Sequence, residues 1–118
     1  MKDKIGVIHT KNKDYPICFN LNVMEEIQEK YGTISAWGDL VSNKGGAEPK
    51  IKELKDGLLM MINEAIDLQN ETKEEKEELL TSKQVGRIIS EVGFAETTKI
   101  IMDLSKDSTD TGEDAKNE

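Results

Sequence analysis

The chain has 118 residues, 36% hydrophobic and 34% charged, which fits a single domain whose core comes from a few amphipathic elements. Its five aromatic residues, Tyr15, Phe19, Tyr31, Trp37 and Phe94, are too few for an aromatic-lined cofactor pocket or a base-stacking platform. A net charge of −8 without clustered Lys and Arg speaks against broad phosphate-backbone binding, and one cysteine with one histidine rules out an intrachain disulfide and the common nucleophilic and zinc sets.

Ile5, Val7 and His9 alternate with smaller or polar neighbours, the period-two pattern of a strand. Polar KNKD at 11–14 turns the chain, and 15–19 offers a second short strand. Pro16 has no amide hydrogen, so this strand belongs at an edge, where another chain can extend it. A two-stranded hairpin is marginal alone and must lean on helices or pair with another chain. The opening MKDKIGVIHT lacks the apolar run of a signal peptide, and no segment reaches membrane-span length, so a soluble, intracellular protein is expected.

A helix follows at once, with Asn20 and Asn22 competing as its N-cap. Asn22 and Glu25 make a capping-box-like N-x-x-E, whereas Asn20 permits a Phe19–Met24 staple. Val23, Met24, Ile27, Tyr31 and Ile34 share one arc, with Glu25, Glu26, Gln28 and Glu29 outside it, and Gly32 is the expected stop. Thr33 starts a short helix that buries Ile34, Trp37, Leu40 and Val41. Residues 42–49 (SNKGGAEP) form a loop whose Gly45–Gly46 pair lacks the G-x-x-x-x-G-K-[ST] pattern of a phosphate loop.

Pro49 suits the first turn of a long helix. Ile51, Leu54, Leu58, Leu59, Met61, Ile62, Ala65, Ile66 and Leu68 cover an apolar arc of about 180°, wider than one buried face needs, which makes this helix central. Met60 lies opposite that arc, either as a single exposed methionine or as a soft contact point for a partner. Residues 71–78 (ETKEEKEE) carry five acidic and two basic residues, as does the tail 106–118. These two segments at −3 each leave the rest of the chain near neutral.

Thr81 and Gln84 make a capping box for a helix with the stripe Val85, Ile88, Ile89 and Val92, closed by Gly93 with Phe94 packing back over the end. A last helix over 95–105 presents Ile100, Ile101 and Leu104, and 106–118 reads as a disordered acidic tail. The expected fold is α+β and predominantly helical: an N-terminal β-hairpin and four to five helices in one domain over 1–105.

No convergent catalytic set stands out. Glu25, Glu26 and Glu29, like Glu74, Glu75, Glu77 and Glu78, read as solvated helix faces, Cys18 as core packing and His9 as a surface or partly buried residue. Segment 83–104 has the outline of a helix-turn-helix, two short helices around a glycine. Against it, Ile89 stands where a small residue is usual, Lys99 stands near a buried position, and Glu96 and Asp103 lie on the would-be recognition helix.

The stretches YPICFNLNVMEEIQEKYGTI and LTSKQVGRIISEVGFAETTKIIMDL, with LLMMINEAI between them and the acidic tail after them, resemble the tail assembly chaperones of long-tailed bacteriophages and prophages. The resemblance runs over about 15–104 and rests on pattern and order; 71–78 aligns with nothing. It implies a non-enzymatic protein without cofactor or metal, which binds the tape-measure protein, keeps it soluble and recruits tail-tube protein subunits. It also implies action in the host cell cytoplasm, absence from the mature virion, and no nucleic-acid or membrane partner; a homo-oligomer is left open. Such proteins often have a longer form made by ribosomal frameshift near the gene's end, and Ala115-Lys116-Asn117 is compatible with a slippery codon run. Residues picked out for client contact are Met60 and Trp37, then Tyr31. The alternative function is a small helical regulatory or adaptor module, DNA-associated through 83–104.

Overall fold

The computed structural model describes residues 4–42 and 50–117, with side chains over 5–42 and 50–105. Strands β1 (Lys4–His9) and β2 (Asp14–Phe19) form an antiparallel hairpin, followed by α1 (Leu21–Tyr31), α2 (Ile34–Val41), α3 (Ile51–Asn70), α4 (Ser82–Val92) and α5 (Phe94–Asn117). This is the expected α+β, mostly helical architecture. The placement of Pro49 in the first turn of α3 lies outside the described residues. So does the expected disordered tail as far as its side chains go, while the backbone of α5 continues as helix past the expected end at 105.

The hairpin runs in register from Lys4 opposite Phe19 to His9 opposite Asp14. Thr10 closes its loop: the Thr10 N–H and hydroxyl donate to the Lys13 carbonyl at 3.1 and 2.7 Å. Pro16 stands opposite Val7, which suits a residue without an N–H only where its nitrogen points away from β1. Directly opposite residues share a face, so Ile5, Val7 and His9 lie with Cys18, Pro16 and Asp14, and Gly6 and Ile8 with Ile17 and Tyr15. Ile8 is the β1 residue in the core, while Ile5 and Val7 are 63% and 44% exposed. The apolar alternation read from Ile5, Val7 and His9 therefore marks the outward face. β2 is an edge strand as expected, since the sheet has two strands, and it is buried at Ile17, Cys18 and Phe19, where α3 packs along it; α5 packs on β1.

Asn20 wins the competition to cap α1, accepting from the Val23 N–H at 3.2 Å. Asn22 instead donates to Glu64 on α3, as the Asn20 amide also does, at 3.1 and 2.8 Å. A single carboxylate thereby ties the start of α1 to the middle of α3. Gly32 ends α1 with φ +93°, a conformation that costs a glycine little. Thr33 caps α2 through the Ala36 N–H at 2.9 Å.

α3 is central as its wide apolar arc requires: it packs against β2, α1, α2 and α4. Leu54, Leu58, Met61, Ile62, Ala65 and Ile66 are buried, whereas Ile51 at its start is 60% exposed. The link from α3 to α4 is not helical, so Glu74, Glu75, Glu77 and Glu78 are exposed on an extended connection and not on a helix face. The Thr81–Gln84 capping box forms with both reciprocal bonds, and Val85, Ile88 and Ile89 are buried beneath it. Gly93 stops α4 with φ +103°, and α5 starts at the next residue. α5 crosses the inner side of the hairpin with Thr97, Ile101 and Ser105 buried.

Candidate functional site

Side chains picked out from the sequence fall in three different places. Trp37 is fully buried: its indole N–H donates to the Glu53 carbonyl at 3.1 Å, and its ring lies against Gly57 of α3. It is a packing residue with no surface of its own to offer a client. Met60 is not the isolated exposed side chain its wheel position suggested but is half-buried against the core. Tyr31 is half-buried at the end of α1, where its hydroxyl donates to Asp56 at 3.2 Å.

Tyr31 and Asp56 form the most perturbed ionisable group. Burial and the neighbouring Asp56 carboxylate push the Tyr31 hydroxyl up to about 12. Burial pushes Asp56 the other way from its net shift, but Lys30, the Tyr31 hydroxyl and Lys52 together hold it below the ordinary carboxylate value. Both lysines stand 3.4 Å from the same Asp56 oxygen. Through Lys30 and Tyr31 on one side and Asp56 on the other, this cluster ties α1 to α3.

The surface with the chemistry of an apolar binding site is a groove of about 540 Å³ between α2 and α5. Ile34, Gly38 and Met102 line it, Trp37 lies behind them, and Ser35, Asp39, Ser42 and Ser105 give it a polar margin. The Met102 thioether lies over Gly38, whose Cβ would meet its methyl group at an ordinary contact distance of 3.7 Å. Ile34 was legible as an apolar position; Met102 was not, because it sits beside Ile100 and Ile101, and only the rotation of α5 decides which of the three faces α2.

Segment 83–104 holds two helices around Gly93, as its outline suggested. One residue, Gly93, joins α4 to α5, where that motif uses a turn of three or four. The outward side of α5 carries exposed Glu96 and a Lys99–Asp103 ion pair at 3.4 Å. Among the described residues no group of three or more His, Cys, Asp or Glu side chains is placed to hold a metal ion, and no helix is long and apolar enough to cross a membrane. A scan of family models finds no match to the chain, and neither a search of curated proteins nor one of solved structures returns one.

Proposed function

We propose that the chain is a tail assembly chaperone of a long-tailed bacteriophage or prophage, a non-enzymatic protein that holds the tape-measure protein soluble and helps recruit tail-tube subunits. The observation that carries this reading is the α2–α5 groove, with Ile34 and Met102 at its walls and Trp37 behind. An amphipathic client helix buries its apolar side in a groove of this kind, and a methionine wall adapts to successive, non-identical client turns. The hairpin–helix opening and the closing α4–α5 pair are in keeping with the order of elements that the resemblance implies. On this reading the protein acts in the host cytoplasm and is absent from the finished virion.

Co-expression with the tape-measure protein encoded beside it tests the proposal. The client should become soluble and co-purify with the chain, and Ile34→Lys with Met102→Lys should abolish capture while the Trp37 emission still reports a folded core. A client that stays insoluble and unbound beside the wild-type chain refutes the proposal. Capture untouched by both substitutions removes the groove as its site.

A further inference from the structure

Folding assembles a cationic groove that is invisible in the sequence. Lys11 from the hairpin loop, Lys55 from α3, and Lys83 and Arg87 from α4 line a groove of about 810 Å³ together with Ile51 and Glu91. Glu91, the one acidic side chain there among the described residues, accepts from the Lys11 backbone N–H. Among the described residues the side chains of Lys11, Lys55, Lys83 and Arg87 have no carboxylate within ion-pair distance. Ile51, 60% exposed, gives the groove an apolar end.

The same chain carries the complement. In the α3–α4 connection Glu71, Glu74, Glu75 and Glu78 are exposed and have no cationic partner among the described residues, and Leu79 beside them is 46% exposed. Hydrogen bonds from α3 hold the 71–77 part of this segment away from Lys55 in its own groove. Asn70 holds Glu77 by two backbone hydrogen bonds of 2.9 Å, and Asn63 holds Leu80 by bonds of 2.8 and 3.1 Å, which pins the segment along the C-terminal half of α3. Fifteen residues separate Lys55 from Asn70, about 22 Å along the helix.

We infer that the acidic connection of one copy docks in the cationic groove of a second, with Leu79 meeting Ile51 at the apolar end. The two surfaces are different patches of one molecule, so the contact is head-to-tail and propagates beyond a dimer. Exposed ion pairs are individually weak and screened by salt, which places the association on the order of 100 μM and makes it sensitive to ionic strength. The inference does not depend on the client proposed above.

Sedimentation velocity over a concentration series tests it on the full chain. The average mass should rise with concentration at about 50 mM salt and fall back toward the monomer at about 500 mM. Lys83→Glu with Arg87→Glu, or Glu74→Lys with Glu75→Lys, should each weaken association about tenfold or more. All four side chains are exposed, so both variants should keep the wild-type Trp37 emission. Mixing the two variants brings the intact groove of one together with the intact acidic segment of the other and should restore the association that each has lost alone. A chain that stays monomeric to about 1 mM in low salt overturns the inference. So does self-association that neither variant disturbs, or a monomeric chain whose groove captures an acidic peptide or a nucleic acid instead.

Discussion

The indole of Trp37 occupies the space that a side chain at Gly57 would need: a Cβ there would lie 2.2 Å from Cζ2 of the ring. The glycine lets α2 and α3 approach closely, and the bond from the Trp37 N–H to the Glu53 carbonyl, one turn earlier on α3, locks the ring in place. Gly57→Ala should therefore destabilise the fold by about 1–3 kcal/mol through overpacking, even after the roughly 1 kcal/mol that alanine gains in helix propensity. Urea unfolding followed by the emission of Trp37, the sole tryptophan, measures it. An unchanged midpoint would mean that the two helices are not in contact here.

Two asparagines on one side of α3 act as clamps for the connection to α4. Each pairs with both the N–H and the C=O of one residue, Asn63 with Leu80 and Asn70 with Glu77. Asn63→Ala strands partly buried backbone groups and should cost about 1–3 kcal/mol. Asn70→Ala acts at an exposed site, where water replaces the lost partners, and should cost less than about 1 kcal/mol. Hydrogen exchange at the Leu80 amide should accelerate in the first variant only.

Stability should fall at both ends of the pH scale through the Tyr31–Asp56 pair. The folded-state pKa of Asp56 lies below its ordinary 3.8, so its contribution is complete above that value and is lost as pH falls through the folded-state pKa. Tyr31 is raised from 10.0 to about 12, so its contribution is complete below 10 and is lost as pH rises through about 12. In urea titrations across pH, Asp56→Asn should flatten the acid limb and Tyr31→Phe the alkaline limb.

The two faces of β1 should respond very differently to substitution. Ile8 is fully buried, and Ile8→Ala should cost about 2–5 kcal/mol. Ile5 is 63% exposed, and Ile5→Thr should stay within about 0.5 kcal/mol of the wild type. Comparable losses at both positions would mean that the outer face of β1 is covered in solution.

What the sequence by itself determined was the local grammar. The Thr81–Gln84 pair, Gly32 and Gly93 act within a few residues of themselves, so their types and spacing mark the end of α1 and both ends of α4, whereas the start of α1 stayed open between Asn20 and Asn22. The wide apolar arc of α3 likewise announced a helix covered by several neighbours. Tertiary structure decided the rest, because it turns on which elements meet. IGVIH puts apolar residues on both faces of β1, and only α5 crossing over Gly6 made Ile8 the buried one. Trp37 turned from a contact candidate into a core residue because a helix twenty positions away carries a glycine beneath it. The cations of the α3–α4 groove come from three segments spread between Lys11 and Arg87, so no window of sequence holds the patch. Caps and periodicity are short-range physics and can be read from a string; burial and charge clustering depend on chain crossings and cannot.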